Sequence, residues 1–386
     1  MIKKNLKFTL IAYFFTSFLI YGILVVGDYF YHLAQYSKMR VTNDILTKRK
    51  KEEDRKYLAE LKSLGYEKII FPYIYYYYPE TSKNYVKEIV PISAQPNKNV
   101  YYCNEGYGMI NFKTDRMGFR NNNSVWDDLK NKKNILFIGD SYTQGACVEE
   151  NNVISSYFKD FNSINLGLDG NNPYIYANLS KIFIPRIKPK YVIQIFHAND
   201  NTELGKIFLK NMEIEDIDKR YFKKDKLEPS DEVLSVIANT GKYIDKNFTK
   251  LPGERDSLFK RGSRYLSLPT IRHNLNITLK KRNFKLPYSS VLSIDTLVQL
   301  CKKNNCTPIF LYIPVSKYWE DNNPLEKPYM DSLNNFFIEN NLVYIDISDK
   351  IYKMGKSAFA PKGKHLSPTG YKLVAEEILK KINSLN

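Results

Sequence analysis

Two residues far apart in the sequence have side chains suited to nucleophilic catalysis. Ser141, in Gly139-Asp140-Ser141, directly follows the apolar run at 134–138 and offers a hydroxyl nucleophile. His365, in a Lys-His-Leu-Ser-Pro-Thr-Gly context, precedes the last helical pattern of the chain. An imidazole is the usual general base for a serine, because its pKa lies near neutrality. Together they indicate attack on a carbonyl carbon, as in ester cleavage.

Two further motifs could stabilise the negative charge that develops on the carbonyl oxygen. Gly170 ends the sequence Asn-Leu-Gly-Leu-Asp-Gly, and a glycine lets a backbone N–H approach a ligand closely. Asn199, in His-Ala-Asn-Asp, could donate from its side-chain amide. Each motif alone is typical of a turn or a helix cap. Their information lies in their order and in the elements that precede them.

Alternating strand and helix patterns would bring these motifs to one edge of a sheet. The predicted strands are 134–138, 163–166, 191–196, 308–313 and 342–347, and the predicted helices are 153–161, 172–187, 291–303, 325–339 and 368–382. This alternation predicts an α/β fold with helices on both faces of a parallel sheet. The carboxyl ends of parallel strands share one edge, where ligands bind in open sheets.

In this order, the four motifs resemble those of the SGNH (GDSL) hydrolases. The resemblance covers roughly residues 131–204 and 290–386. It implies a flavodoxin-like parallel sheet with flanking helices, which is the SGNH hydrolase fold. The segment from Thr114 to Arg120, Thr-Asp-Arg-Met-Gly-Phe-Arg, is similar to one found in bacterial exported members, among them O-acetyl esterases and O-acetyltransferases.

The resemblance implies a role for each motif. Ser141 matches the nucleophile and His365 the catalytic base. The oxyanion hole would consist of Ser141, Gly170 and Asn199. No cofactor and no metal ion are implied.

One departure from the family pattern concerns the acid that orients the histidine. The family usually has an Asp two or three residues before it, where this chain has Gly363 and Lys362. Ser141 and His365 could work as a dyad, the site could be impaired, or another group could orient the imidazole. The candidates for that group are a backbone carbonyl, Asp200, Asp346 and Asp349.

The N-terminus carries a membrane signal. Residues 8–26 have no charged side chain, and at about 1.5 Å per residue such a helix nearly crosses a hydrocarbon core of about 30 Å. Lys3, Lys4 and Lys7 precede it, so the positive-inside rule favours a cytoplasmic N-terminus. We expect a single-pass membrane protein whose catalytic domain lies outside the cytoplasm. A cleaved signal peptide is the alternative.

Composition shifts divide the chain into three parts. Residues 1–27 are the predicted transmembrane anchor, residues 28–130 a polar helical stalk followed by an aromatic-rich extension with short strands, and residues 131–386 the SGNH-like domain. A helical, basic insertion at about 205–287 could be a lid, a substrate platform, a membrane-facing patch or a solvated surface. The run Tyr75 to Tyr78 is expected to pack, or to stack on carbohydrate.

Charge and cysteine content narrow the partners and the compartment. The net charge of +17 favours anionic partners, such as acidic glycans or lipid headgroups. Nucleic acid is not expected, because the positive charge lies outside the cytoplasm and no nucleic-acid motif is present. An exported chain could oxidise its four cysteines, and Cys301 and Cys306 are close enough for a local disulfide, although spacing does not determine the pairing.

These features predict serine-dependent ester hydrolysis, or O-acyl (acetyl) transfer, on an envelope or extracellular glycan. The expected partners are an acylated glycan or another ester substrate and the membrane, with a membrane-bound acyl donor protein in the transferase case. Two alternatives remain: a lipase-like esterase acting on membrane lipids, and a non-catalytic glycan-binding protein with the same fold.

Overall fold

A computed structural model describes residues 2–74, 91–201, 220–223, 226–247, 266–316 and 325–385. It divides the chain into two compact units, Met1–Arg55 with Lys250–Asn283, and Lys56–Thr249 with Phe284–Asn386. The run Tyr75 to Tyr78 and much of the predicted insertion lie outside the described residues.

The elements are numbered here in chain order. The strands are β1 (Glu67–Lys68), β2 (Asn99–Tyr101), β3 (Asn111–Lys113), β4 (Asn134–Ile138), β5 (Asn162–Asn165), β6 (Tyr191–His197), β7 (Thr307–Ile313) and β8 (Tyr344–Asp346). The helices are α1 (Ile2–Ser63), α2 (Ser124–Asp127), α3 (Ser141–Gln144), α4 (Pro173–Ile187), α5 (Asp231–Asn247), α6 (Pro269–Arg282), α7 (Tyr288–Asn304), α8 (Glu326–Glu339), α9 (Ser348–Met354) and α10 (Pro368–Leu385).

Strands β4 to β8 form one parallel sheet in the order β5-β4-β6-β7-β8. Numbered along the chain, this is the 2-1-3-4-5 order of flavodoxin-like folds. It confirms the fold predicted from the alternating patterns. Every residue of β4 and β6 is buried, because helices cover both faces of the sheet.

Alternation along β4 supplies both halves of the core. Leu136 and Ile138 pack in one cluster with α4, α7 and α8, whereas Ile135 and Phe137 pack in the other with α9 and α10. Successive side chains of a strand point to opposite faces, so five consecutive apolar residues can serve two layers. The buried sheet provides a rigid support for the residues at its carboxyl edge.

The helix predicted at 153–161 is wrong. The chain forms two separate 3₁₀ turns there, Glu150–Asn152 and Ile154–Tyr157. Val153 between them is extended, with φ −76° and ψ 152°, so an α-helical hydrogen-bond ladder cannot continue. Val153 and Ile154 still face the core, which explains why their spacing resembled that of a helix.

The aromatic-rich extension forms the short strands predicted for it. Strand β2 pairs with β1 in parallel and with β3 in antiparallel orientation. After β3, the buried carboxylate of Asp115 accepts hydrogen bonds from the backbone N–H groups of Met117 and Phe119 and from the side chains of Asn121 and Trp126. Burial raises the pKa of Asp115 to about 6. This carboxylate closes the turn that directs the following residues inward.

Arg120 connects that turn to the loop that follows α3. Its guanidinium is buried and donates to the carbonyl oxygens of Gly145 (2.7 Å) and Val148 (2.8 Å). It also pairs with Glu150 at 3.2 Å and lies 4.5 Å from the ring centroid of Phe112. A planar fork of donors suits two carbonyls at once. Arg120 thereby attaches the extension to the parallel-sheet domain.

Helix α1 contains a stretch, Phe8–Tyr31, that is long and apolar enough to cross a membrane. Its mean hydropathy is 2.1, and most of its side chains are exposed, with Asp28 as a buried exception. A signal sequence near the N-terminus can have a similarly long apolar helix. In the same unit, Asp28 accepts the backbone N–H groups of Thr270 and Ile271 at the start of α6. The predicted division at residues 27 and 130 stays a prediction.

We predict that replacing Arg120 destabilises the fold far more than replacing Arg116 in the same turn. Arg120→Ala leaves two buried carbonyls without donors and should lower the free energy of unfolding by about 3 kcal/mol. Arg116→Ala removes only an exposed pair with Asp127 and should cost less than about 1 kcal/mol. Denaturant titration of the two variants in detergent measures both values, and equal losses would contradict the prediction.

Candidate active site

The predicted nucleophile, Ser141, lies at a tight turn between β4 and α3. Ser141 is the first residue of α3, directly beyond the carboxyl end of β4. The carboxylate of Asp140 caps this turn by accepting the N–H of Tyr142 at 2.9 Å. A side chain at Gly139 would collide with Thr143, so the close turn requires a glycine there. The hydroxyl is thereby held at the predicted edge of the sheet.

The base comes from a loop before α10, which we call the His365 hairpin (residues 358–367). Its arms are joined by hydrogen bonds from Ala360 N to His365 O and from Ser367 N to Ala358 O. His365 Nε2 lies 2.9 Å from Ser141 Oγ. The structure therefore brings the two predicted catalytic residues into hydrogen-bond contact.

Glu105, which sequence reasoning missed, orients the imidazole. Its Oε1 lies 2.9 Å from His365 Nδ1, and its Oε2 accepts the backbone N–H of His365 at 3.0 Å. Its backbone oxygen also accepts the N–H of Lys362. Glu105, Ser141 and His365 are at most 9% exposed. The three side chains form a continuous chain of carboxylate, imidazole and hydroxyl.

Gly363 explains how a carboxylate from the extension can replace the one expected beside the histidine. A Cβ atom at Gly363 would collide with the side chain of Glu105. The absence of a side chain at Gly363 therefore leaves the space that the Glu105 carboxylate occupies. Glu105 takes the place, beside His365, of the Asp that the predicted pattern places two or three residues before the histidine.

The aspartates considered from sequence do not face His365, and two of them accept backbone N–H groups elsewhere. Asp200 accepts the backbone N–H of His197, and Asp346 accepts that of Ser348. Asp349 lies in the first turn of α9. The expectation that a backbone carbonyl or one of these aspartates orients the imidazole is wrong, because Glu105 holds the Nδ1 position.

A disulfide attaches the Glu105 segment to the nucleophile loop. Cys103 is bonded to Cys147, with their Cα atoms 5.3 Å apart. Glu105 precedes His365 by 260 residues, so no local pattern could connect them. The only sequence signal for this contact was that Cys103 lies near Glu105 and Cys147 lies near Ser141, so that a disulfide between them would join the two segments. The second disulfide, Cys301–Cys306, confirms the local pairing considered from spacing.

The same cluster has the proximity of a metal site but not its chemistry. Potential ligand atoms of Glu105, Cys147 and His365 lie within 4.8 Å of one another. A cysteine binds metal as a thiolate, and Cys147 is consumed by its disulfide. The Nδ1 atom of His365 faces the carboxylate. The cluster is therefore described as a hydrogen-bond network.

Asn199 is held beside the nucleophile turn. It lies in the 3₁₀ turn Ala198–Asp200 after β6, and its Nδ2 donates to Asp140 Oδ2 at 3.0 Å. Burial raises the pKa of Asp140, whereas the hydrogen bonds from Asn199 and Tyr142 lower it. Asp140 thus positions both the nucleophile and the amide. The second N–H of that amide is the one suited to an oxyanion.

Gly170 has the positive φ (75°) that favours glycine, and the ring of Tyr73 packs directly against it. The carboxylate of the preceding residue, Asp169, lies near the side chains of Tyr102, Lys364 and His365. Burial raises the pKa of Asp169. Gly170 follows the carboxyl end of β5, and its N–H stays a predicted oxyanion donor.

His197, the other histidine at this edge, is structural. Its Nδ1 donates to the carbonyl oxygen of Ile313 at 2.9 Å, and its ring packs on Tyr142 with centroids 4.2 Å apart. Burial lowers the pKa of His197 to about 3, so it stays neutral. It fixes the end of β6, from which Asn199 follows.

Comparison of the sequence with protein-family models and with curated proteins gives no match. Among solved structures, a lipolytic protein of the G-D-S-L family from Veillonella parvula shares 13% identity over 64% of this chain and 97% of its own, with a TM-score of 0.35. A GDSL-like lipase from Bacteroides thetaiotaomicron shares 12% identity over 66% of this chain and 89% of its own, with a TM-score of 0.36. An acetylxylan esterase from Geobacillus stearothermophilus, solved as a catalytic mutant, shares 15% identity over 65% of this chain and 94% of its own, with a TM-score of 0.33. At these identities and scores, the activities named for those proteins do not transfer to this chain.

We predict that Glu105→Gln lowers kcat for ester hydrolysis by about 10³–10⁴-fold with little change in KM, because a neutral amide no longer selects the required tautomer or stabilises the imidazolium. Steady-state kinetics on a small acetyl ester measure both constants. A purely structural role for Glu105 would instead lower the thermal unfolding midpoint.

The matched controls are Asp346→Asn and Asp349→Asn, which remove carboxylates that do not face His365. Both variants should keep kcat within about twofold of the wild type, as expected for changes outside the reacting groups. If either one lost activity as severely as Glu105→Gln, the assignment of Glu105 would be contradicted.

We predict that the two disulfides differ in their effect on activity. The double variant Cys103→Ser with Cys147→Ser frees the Glu105 segment and should lower kcat at least about tenfold, since small displacements of catalytic groups are costly. Cys301→Ser with Cys306→Ser alters only the end of α7 and should leave kcat unchanged. Equal kinetics for both double variants would argue against a positioning role for Cys103–Cys147.

Proposed function

We propose that this protein is a serine-dependent esterase or O-acyltransferase of the SGNH type that acts on a glycan of the cell envelope or the extracellular space. The observation that carries the proposal is the chain of hydrogen bonds from Glu105 through His365 to Ser141. A carboxylate, an imidazole and a hydroxyl in this order are the groups required to activate a serine.

The first chemical step follows from the geometry. An ionised Glu105 can only accept, so Nδ1 of His365 carries a proton and Nε2 presents its lone pair to Ser141. As Oγ attacks the ester carbonyl, its proton passes to Nε2, and Glu105 stabilises the resulting imidazolium. The histidine then returns the proton to the departing alcohol oxygen.

The oxyanion formed in that attack needs donors at the same edge of the sheet. We assign this role to the backbone N–H groups of Ser141 and Gly170 and to the side-chain amide of Asn199. All three follow the carboxyl ends of adjacent strands, β4, β5 and β6. Removing one such donor typically lowers kcat by about 10²–10³-fold.

The acyl-enzyme can pass its acyl group to two acceptors. Attack by water gives a carboxylic acid and makes the protein an esterase, whereas attack by a sugar hydroxyl gives a new ester and makes it a transferase. In both cases His365 removes the proton of the acceptor and returns it to Ser141 Oγ as the acyl bond breaks. A transferase would draw its acyl group from a membrane-bound donor protein.

An envelope location is supported by the N-terminal helix and by the cysteines. The span Phe8–Tyr31 could anchor the chain once in the membrane, with the N-terminus in the cytoplasm and the catalytic domain outside. All four cysteines are paired, which suits an oxidising compartment. A glycan of that compartment is then the accessible polymer.

The non-catalytic alternative loses its main support. It depended on the absence of an acid beside His365, where Gly363 and Lys362 stand. Glu105 occupies that position in space. The lipase alternative is separated by acyl chain length, because an enzyme for O-acetyl groups should hydrolyse acetyl esters faster than decanoyl esters of the same alcohol.

We predict that a fluorophosphonate probe labels the full chain and that Ser141→Ala abolishes the labelling, because only an activated hydroxyl attacks phosphorus at a useful rate. Ser163→Ala, which removes a hydroxyl in β5 outside the proposed machinery, serves as the control and should label like the wild type. Absence of labelling in the wild type would overturn the proposed function.

A further inference from the structure

A cleft of about 630 Å³ lies between the segment that carries Glu105 and the His365 hairpin. Its size is typical of small-ligand sites, which span about 300–1,000 Å³. It is separate from the catalytic hydroxyl but shares its walls with the two segments that supply the acid and the base. The residues lining it include Tyr107, Lys356, Phe359, Pro361, Pro368 and Thr369.

The apolar wall of this cleft is built on the catalytic segments themselves. Tyr107 follows Glu105 by two residues and is 40% exposed. Gly106, the residue before Tyr107, lies close to the His365 hairpin, since a Cβ atom there would be 2.5 Å from Pro361 Cγ. An exposed tyrosine ring offers a flat apolar face with a polar tip, against which the C–H face of a sugar ring can pack.

The rim of the cleft is positively charged. Lys356 lines it, and the exposed side chain of Lys362 follows Pro361, one of the lining residues. Lys364, also on the His365 hairpin, lies near the carboxylate of Asp169. The nearest catalytic acid, Glu105, is engaged with His365. Clustered cations beside a cleft raise the local concentration of anionic ligands.

We propose that this cleft binds an anionic sugar residue of the polysaccharide whose acyl group reacts at Ser141. The inference rests on the proposed function and adds to it the class of substrate, a glycan that carries carboxylate or phosphate groups. The sugar ring packs on Tyr107 and its anionic group faces Lys356. A charged group on a neighbouring sugar of the same chain faces Lys362.

A binding measurement tests the cleft without requiring catalysis. The full chain with Ser141→Ala, in detergent, is titrated calorimetrically with oligogalacturonate, with phosphomannan oligosaccharides and with neutral xylo-oligosaccharides of equal length. At least one of the two anionic ligands should bind about tenfold more tightly than the neutral one, and its affinity should fall as sodium chloride screens the lysines. Equal affinity for the neutral ligand would overturn the proposal.

Variants made in the Ser141→Ala background locate the site. Tyr107→Ala and Lys356→Ala should each weaken binding of the preferred anionic ligand about five- to tenfold, whereas Tyr107→Phe keeps the ring and most of the affinity. The matched controls are Tyr288→Ala and Lys133→Ala, which remove an exposed tyrosine and an exposed lysine elsewhere in the same unit. Affinities equal to those of the controls would place the ligand outside this cleft.

The two proposals fail in distinguishable ways. If the wild type takes no fluorophosphonate but the Ser141→Ala chain binds anionic oligosaccharides through Tyr107 and Lys356, the catalytic proposal fails and the cleft stands. If labelling succeeds but binding does not discriminate by charge, the enzyme stands and the cleft proposal fails.

Discussion

The contact between the carboxylate of Glu105 and the imidazole of His365 determines the tautomer and the orientation of the ring that faces Ser141. A neutral imidazole has two tautomers, and only one of them leaves Nε2 able to accept the proton of Ser141. Glu105 selects that tautomer through Oε1 and holds the hairpin backbone through Oε2. The proposed activation of Ser141 therefore depends on the packing of the extension against the parallel-sheet domain.

Several independent contacts hold the extension against the parallel-sheet domain. Asp115 closes a turn with four hydrogen bonds, and Arg120 carries that turn onto the loop behind the nucleophile by donating to two of its carbonyl oxygens. The disulfide of Cys103 and Cys147 makes a second, covalent connection between the same parts. Because bonded buried groups cost more to separate than exposed ones, these contacts hold Glu105 in place against thermal motion.

The carboxyl edge of the sheet concentrates acids that folding would otherwise disfavour. Burial raises the pKa of Asp140, Asp169 and Asp200, and each is compensated by hydrogen bonds from its neighbours. Asp140 and Asp200 order the ends of β4 and β6, whereas Asp169 lies directly before Gly170, a predicted oxyanion donor. Strained or costly polar arrangements of this kind cluster at functional sites.

The sequence by itself determined the parallel sheet and four of the five residues gathered at its edge. Apolar runs and helical spacing are local consequences of burial, so they are visible without a structure. The shared direction of the strands then brings Ser141, Gly170 and Asn199 to one edge, and the hairpin before the last helix adds His365. The 153–161 pattern misled, because its core-facing residues sit on 3₁₀ turns broken by an extended Val153. The identity of Glu105 as the fifth residue was decided by tertiary structure alone. No periodicity links residues separated by 260 positions, and the glycine that makes room for Glu105 looks, in one dimension, like a missing acid.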